Sequence, residues 1–218
     1  MVYADRVEAG RALIAPLQRY RGSDAVVLAL PRGGVPIAAE IARALDLPLG
    51  LVLVRKVGMP GQPELAVGAL AGPQGETLVI NDEVARMAGI SETRIAGLAA
   101  PQREELARRA ELWMGAHPAP DLSGRTAILV DDGLATGATM RAAIAWARSQ
   151  NASKVVAAVP VGSAESVAAL GRLADAVHCP TVPDYFRAVG LHYHDFRQVD
   201  DAEVRALLDA HRDARKDG

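Results

Sequence analysis

The chain has 218 residues, of which 50% are hydrophobic, and a formal net charge of −2. This composition fits one α/β domain with a sizeable core. The near-neutral charge argues against a protein that binds nucleic acid or an anionic membrane surface. The single cysteine excludes an internal disulfide, and no apolar run reaches the length of a membrane span, so we expect a cytoplasmic protein.

A helix and a buried strand open the chain. Asp5 and Glu8 are spaced as a capping box for a helix over residues 5–20. The continuous apolar run at residues 24–30 predicts a buried strand. The residues after the Pro-Arg-Gly-Gly turn at 31–34 have the apolar spacing of a second helix. This order of strand, turn and helix is typical of α/β proteins.

The middle of the chain predicts strands at residues 48–55 and 77–80, joined by a long loop. The connecting residues 57–75 are rich in Gly and Pro and hold no Lys or Arg. We expect this stretch to be a mobile lid that closes over a ligand. The alternative is a rigid hairpin whose apolar side chains stay packed on the domain.

The second half of the chain continues the alternation of helices and strands. Residues 91–115 predict a helical segment that is broken near Pro101. Two further buried strands, at residues 126–132 and 154–160, flank a helix through Trp146. Strands that are buried on both faces and alternate with helices predict a doubly wound, mainly parallel five-stranded sheet.

Two strand-to-helix turns have the features of anion-binding sites. In the first turn, Gly33 and Gly34 let backbone amides approach a ligand closely, and Arg32 adds a cation. In the second turn, at residues 133–139, backbone amides and two threonine hydroxyls can surround a phosphate at the positive end of a helix. In a doubly wound sheet, ligands bind at such turns where the strand order reverses.

Two adjacent carboxylates, Asp131 and Asp132, stand at the strand end immediately before the second turn. Two charged groups are a costly way to end a buried strand unless a ligand uses them. They can accept hydrogen bonds from a vicinal diol, directly or through a metal-bound water. The pair and its turn therefore predict a site for a ribose 5-phosphate, and the first turn would hold a pyrophosphate on C1.

The segment ILVDDGLATGAT resembles the phosphoribosyl pyrophosphate (PRPP) signature of the type I phosphoribosyltransferases. Three further segments resemble a bacterial branch of that family whose acceptor substrate is not settled: ALPRGGVPIA, VRKVGMPGQPELAVGAL and DYFRAVGLHYHDF. The resemblance covers the core, at about residues 20–160. It implies the type I fold in a single domain over residues 1–218, with a small hood from the chain termini, at residues 1–20 and about 176–218.

The resemblance also implies the reaction and the partners. The donor would be PRPP with Mg²⁺, the acceptor a base or an amine, and the product a nucleotide of the kind made in salvage reactions. Magnesium would be held mainly by the substrate and by water, in agreement with its reluctance to lose its hydration shell. A homodimer is the expected assembly, without nucleic acid or membrane as partner.

Each matching residue takes an implied role from the resemblance. Asp131 and Asp132 are the implied catalytic pair, which binds the ribose hydroxyls. The 5-phosphate would lie on Ala135, Thr136, Gly137, Ala138 and Thr139. The pyrophosphate would lie on Arg32, Gly33, Gly34, Arg55 and Lys56, with a cis peptide often present in the first of these turns. The carboxy-terminal hood would place the acceptor against Asp184, Tyr185 and Phe186.

Three features depart from the family pattern. Position 135 is Ala, where the enzymes that use hypoxanthine or guanine usually have an Asp, so we expect those bases to be poor acceptors. Gly133 replaces the usual branched apolar residue, which predicts a looser turn. The absence of Lys and Arg from residues 57–75 removes the cation that such a lid normally brings to the leaving group.

Two other functions remain as alternatives. A PRPP-binding regulator without transferase activity uses the same fold, but it normally carries an added DNA-binding module. Here the first helix leads straight into the first strand. A phosphohydrolase would use Asp131 as its nucleophile, but that chemistry usually has an Asp-x-Asp arrangement. The transferase is therefore the leading hypothesis, and the regulator is its first alternative.

Overall fold

The computed structural model describes residues 2–115 and 119–216, without the side chains of residues 63, 64 and 216. The strands are β1 (Val26–Ala29), β2 (Leu49–Leu51), β3 (Val54–Met59), β4 (Gln62–Ala71), β5 (Thr77–Ile80), β6 (Thr126–Val130), β7 (Lys154–Ala158) and β8 (Ala176–His178). The α-helices are α1 (Arg6–Leu17), α2 (Gly34–Leu45), α3 (Asp82–Met87), α4 (Glu92–Met114), α5 (Ala138–Ser149), α6 (Ala164–Leu170) and α7 (Asp201–Lys216). Short 3-10 helices lie at Gln18–Tyr20 and Val189–His192.

The main sheet has five strands in the order β2-β1-β6-β7-β8. Every neighbouring pair is parallel, which confirms the predicted doubly wound fold. One strand of the predicted five was wrong, because residues 77–80 form β5 in a second, smaller sheet and β8 takes the outer position. β5 is only half-buried, so its short apolar run did not mark a strand of the main sheet.

The main sheet is buried on both faces. Along β1, Val27 and Ala29 pack in the core that contains α1 and α2, whereas Val26 and Leu28 pack in the core that contains α5. This alternation follows from the two-residue period of a strand. It explains why the strand reads as a continuous apolar run.

The strand order reverses between β1 and β6. From β1 the chain crosses over to β2 on one side, and from β6 it crosses over to β7 on the other. The two strands are paired along their length, with Ala29 opposite Val130. The turns that follow Ala29 and Val130 therefore leave the same edge of the sheet side by side, at the position where α/β proteins bind ligands.

Residues 54–80 form a three-stranded antiparallel sheet, β3-β4-β5, where the sequence predicted a long loop. Pro60 and Gly61 make its first turn, and the positive φ of 80° at Gly61 fits a type II turn. Val67 and Leu70 are buried, as the hairpin alternative required, although Leu65 is 40% exposed. The glycines misled the prediction because they serve close packing, and a Cβ on Gly68 would lie 2.7 Å from the Val79 carbonyl oxygen.

Helix α4 runs without interruption through Pro101, so the predicted break is wrong. Proline removes one N–H from the helix, which leaves the carbonyl group four residues earlier without its usual donor. That residue is Gly97, which is exposed and has open space above it, so water can reach its carbonyl group. Within the described ranges, neither α4 nor another helix is long and apolar enough to cross a membrane.

The two ends of the chain pair with each other beside the main sheet. The amide of Tyr3 donates to the His192 carbonyl at 2.9 Å, and the amide of His194 donates to the Tyr3 carbonyl at 2.8 Å. The Tyr3 hydroxyl, which is buried, donates to the Pro160 carbonyl at 3.1 Å. These bonds fix the amino-terminal segment and the carboxy-terminal segment over the end of the sheet.

Candidate active site

The carboxylates of Asp131 and Asp132 lie at the end of β6, between the two turns. The amide of Asp132 donates to Oδ1 of Asp131 at 2.9 Å. Desolvation raises the pKa of Asp131 well above its usual range, and the neighbouring charge of Asp132 raises it further. Burial of two adjacent carboxylates thus opposes the ionisation of Asp131.

Asp132 is held by a residue that sequence reasoning missed. Arg6, at the start of α1, donates to Oδ2 of Asp132 from Nε at 3.0 Å and from Nη2 at 2.7 Å. Its Nη1 donates to the Arg197 carbonyl at 2.8 Å, and its guanidinium lies 4.1 Å from the centre of the Phe196 ring. Desolvation raises the pKa of Asp132, and Arg6 opposes that rise.

The Pro-Arg-Gly-Gly turn touches the acids directly. The peptide bond between Pro31 and Arg32 is cis, as the family resemblance implied. A Cβ on Gly33 would lie 1.9 Å from Oδ2 of Asp132, and a Cβ on Gly34 would lie 2.5 Å from the Val130 carbonyl oxygen. Glycine is therefore required at both positions, because the turn packs against the end of β6 with no room for a side chain.

The Arg32 side chain turns toward the carboxy-terminal helix. Its Nη1 lies 3.5 Å from Oδ1 of Asp201, the first residue of α7. Nε1 of Trp113 also donates to that carboxylate, at 3.2 Å. Arg32, which was predicted to bind pyrophosphate, is thus paired with Asp201 of the hood. Its positive charge would be shared between Asp201 and a bound pyrophosphate.

The second turn presents backbone amides at the amino-terminal end of α5. Gly137 caps the helix in the left-handed conformation, with φ of 73°. The Ala135 carbonyl accepts hydrogen bonds from the hydroxyls of Ser163 at 3.2 Å and Ser166 at 2.5 Å. These two bonds fix the Ala135 carbonyl group, and the next residue, Thr136, is exposed to solvent. This arrangement suits a phosphate group.

A cleft of about 400 Å³ separates the second turn from the small sheet. Thr136 and Ala138 line it on one side, Lys56 lines it from β3, and Arg141 lines it from the first turns of α5. The structure therefore brings Lys56 to the predicted phosphate turn. It also adds Arg141, which the sequence reasoning did not consider, as a second cation beside that turn.

Arg55 does not join this cleft. Its guanidinium donates to Oε1 of Gln102 in α4, from Nε at 3.1 Å and from Nη2 at 2.8 Å. Neighbouring residues of a strand point to opposite faces, so Arg55 and Lys56 cannot face one site together. The pyrophosphate role of Arg55 stays a prediction, and in this structure its guanidinium is bound to Gln102 instead; desolvation and the nearby charge of Arg109 lower its pKa.

Gly133 makes room for a side chain of the carboxy-terminal segment. A Cβ on Gly133 would lie 2.4 Å from Cγ1 of Val189. The apolar group that a branched residue would supply at position 133 is thus supplied by Val189. The expectation of a looser turn is wrong, because the space left by the glycine is filled.

Gly133→Ala is therefore expected to destabilise the protein by about 1–3 kcal/mol, the usual cost of overpacking a filled site. Thermal unfolding of the full chain measures this loss. The double variant Gly133→Ala with Val189→Ala removes the atoms that clash and should recover most of the stability. A single variant as stable as the wild type would show that Val189 does not occupy this space in solution.

The three predicted acceptor residues have different surroundings: two are exposed and the third packs against another ring. Tyr185 is 90% exposed, and Asp184 is exposed beside it. Phe186 stacks on the ring of His192, with the ring centres 5.9 Å apart and the planes at 8°. Since Val189 of the same segment contacts Gly133, the segment passes over the second turn, but Phe186 already has a stacking partner and Tyr185 points into solvent.

The chain also matches a family of known proteins. Residues 3–195 match the model of the family described as phosphoribosyl transferase domain. The chain belongs to the phosphoribosyl transferase family. The match includes both turns, the two carboxylates and the segment that pairs with the amino terminus, whereas Arg197 and Asp201 lie beyond it.

Relatives of this chain include two proteins of Mycobacterium tuberculosis, from two strains of that organism, whose names assign them provisionally to the phosphoribosyl transferases. Each is 46% identical over 213 residues, which is 97% of this chain and 48% of the relative. The chain thus spans about half the length of these curated relatives.

The crystal structure of TT1426 from Thermus thermophilus is 44% identical, with a TM-score of 0.83, and the match covers 95% of this chain and 98% of that one. A Neisseria gonorrhoeae protein with bound ppGpp matches at 16% identity and a TM-score of 0.51, covering 96% and 94% of the two chains. This second likeness shows the fold alone.

Proposed function

We propose that this chain transfers a phosphoribosyl group from PRPP, with Mg²⁺, to a base or an amine and releases pyrophosphate. The observation that carries the proposal is the place of Asp131 and Asp132, at the point of strand reversal and between the glycine turn after β1 and the turn that precedes α5. Family membership supports the same reaction class. The donor, the metal and the acceptor are our inference from the site.

The donor would lie across the ends of β1 and β6. Its 5-phosphate would bind the amides of residues 135–139 at the end of α5, where Thr136 is exposed and the helix favours an anion. Its ribose hydroxyls would donate to the carboxylates of Asp131 and Asp132. Its pyrophosphate would then extend toward Gly33, which lies next to the Asp132 carboxylate, and toward Gly34, which packs against Val130 and Asp131.

The site's donor atoms suit magnesium that arrives with the substrate. Within residues 2–115 and 119–216, no group of three or more His, Cys, Asp or Glu side chains is placed to hold a metal ion. Asp131 and Asp132 supply carboxylate oxygens, which can accept hydrogen bonds from the water that magnesium retains. When bound with PRPP, magnesium would neutralise charge on the departing pyrophosphate.

The residues of the chain would act mainly by positioning and by charge. As the bond between C1 and the pyrophosphate oxygen breaks, its electron pair leaves with the pyrophosphate and positive charge develops on the ribose. With the ribose hydroxyls bound to the acids, the Asp132 carboxylate would help to stabilise that charge. A nitrogen atom of the acceptor would then bond to C1 from the opposite face and pass its proton to water.

The test is a panel of purines, pyrimidines and amines offered to the full chain with PRPP and Mg²⁺, with pyrophosphate release as the readout. We expect release with at least one acceptor and little release with hypoxanthine or guanine. Ala135 presents only a methyl group where a proton acceptor is needed, and its carbonyl group is occupied by Ser163 and Ser166. If hypoxanthine or guanine proved to be the best acceptor, the inference drawn from Ala135 would be contradicted. PRPP binding without release across the panel would favour the regulator.

A further inference from the structure

Arg6 joins three parts of the site that are distant in sequence. It lies at the first position of α1 and binds Asp132, which is 126 residues away. Arg6 binds Oδ2 of Asp132, and the same oxygen occupies the space where a Cβ of Gly33 would lie in the first turn. The amino-terminal helix, the catalytic strand and the pyrophosphate turn thus meet at one carboxylate oxygen.

The position of Arg6 is unfavourable unless the contact with Asp132 has a purpose. The amino-terminal end of a helix carries partial positive charge and disfavours a cation. Arg6 is also only 9% exposed, so its charge has been taken out of water. If the chain ends served only to cover the domain, an apolar residue at position 6 would do so equally well.

The contacts of Arg6 leave one side of the Asp132 carboxylate free. Nε and Nη2 both bind Oδ2, and Nη1 binds the Arg197 carbonyl, so Arg6 makes no bond to Oδ1. The Phe196 ring covers one face of the guanidinium and limits its movement. The hydroxyl of Tyr193 donates to the Asp132 backbone carbonyl at 2.6 Å, so a second group of the hood fixes the same residue.

We propose that Arg6 is a positioning residue that holds Oδ2 of Asp132 and so directs Oδ1 toward the ribose hydroxyls of the donor. This inference rests on the proposed function. Arg6 acts through Asp132 and does not touch the substrate. This role of Arg6 gives the hood a second function besides covering the acceptor, because the two ends of the chain would then set the geometry of the donor site.

The inference predicts an effect that depends on the ribose. Arg6→Gln keeps a side chain of similar reach but lacks the charge and the paired donors, so Asp132 can rotate. Calorimetry on the full chain with Mg²⁺ should show about tenfold weaker binding of PRPP, since one well-placed charged contact is worth roughly this factor. The affinity for inorganic pyrophosphate, which has no ribose, should not change.

Two further variants complete the test. Arg6→Lys keeps a cation that can reach Oδ2 through one donor, so it should recover part of the affinity for PRPP. Arg11→Gln removes a mostly exposed cation from the same helix, one that pairs with Glu40 at the surface, and it should bind both ligands as the wild type does. Thermal unfolding shows which variants are folded.

The outcomes separate this inference from the proposed function. A wild-type chain that fails to bind PRPP overturns both. A wild-type chain that binds PRPP, with Arg6→Gln equal to it, overturns only the role of Arg6. Tighter binding by Arg6→Gln would show that Arg6 competes with the ribose for Asp132, and equal losses for both ligands would show a structural role; either result overturns positioning. If Arg6→Gln does not fold, Arg6→Lys takes its place in the test. Binding of PRPP by Arg6→Lys with the affinity of the wild type would then overturn the positioning role.

Discussion

Replacing Asp131 and Asp132 together with asparagine is expected to abolish phosphoribosyl transfer and to weaken PRPP binding by at least about 100-fold. The two carboxylates are the anionic acceptors at the reversal of strand order, and the ribose is the part of PRPP that they face in the proposed arrangement. An asparagine has nearly the same shape as an aspartate but no charge. The change therefore removes the charge-assisted bonds and leaves the packing of β6 in place.

The single variants should differ from each other. Desolvation raises the pKa of Asp131 well above its usual range, whereas Arg6 counteracts the corresponding rise at Asp132. Arg6 supports the charged form of Asp132 through an ion pair, so Asp132→Asn, which breaks that ion pair, should lose more turnover than Asp131→Asn. Calorimetry measures the affinity for PRPP, and pyrophosphate release measures turnover. Binding of inorganic pyrophosphate shows whether the first turn is still intact in each variant. Unchanged PRPP affinity in the double variant would remove the acids from the donor site.

Replacing Lys56 with methionine is expected to lower turnover with PRPP by about 100-fold, whereas the same change at Arg55 should leave it almost unaltered. The two residues are neighbours in sequence and carry the same charge, so each serves as the control for the other. Lys56 shares a cleft with Thr136 and Ala138 of the phosphate turn. Arg55 lies on the other face of β3 and is bound to Gln102.

Steady-state kinetics at several salt concentrations checks this difference. Because the ammonium group of Lys56 would attract phosphate by charge, its removal should also make PRPP binding less sensitive to salt. Arg55→Met loses two hydrogen bonds to α4 and should show its effect in thermal unfolding instead. A larger loss of turnover in Arg55→Met than in Lys56→Met would mean that the small sheet turns its other face to the substrate.

The parts of the fold that were predictable are those that depend on local pattern. The continuous apolar runs that became β1, β6 and β7 are buried on both faces, and such burial leaves a clear signal in sequence. The two turns that we propose to bind anions were recognisable for a similar reason. Glycines, threonines and adjacent carboxylates follow those strands directly, so their placement needed only the assignment of the strands.

The parts that were missed depend on contacts between distant residues. Arg6 reads as an ordinary surface cation until the fold brings it to Asp132. Gly133 reads as a weak point until Val189 is seen to fill its space. The small sheet was missed because its glycines, read as signs of a loop, are required by close backbone contact, as at Gly68.

The most direct test of the account is a crystal structure of the full chain with PRPP and Mg²⁺. We expect the 5-phosphate on the amides of residues 135–139, the ribose hydroxyls within hydrogen-bonding distance of Asp131 and Asp132, and the pyrophosphate against Gly33 and Gly34. PRPP bound in the opposite direction, or bound away from the two carboxylates, would contradict the proposed donor site and the reaction inferred from it.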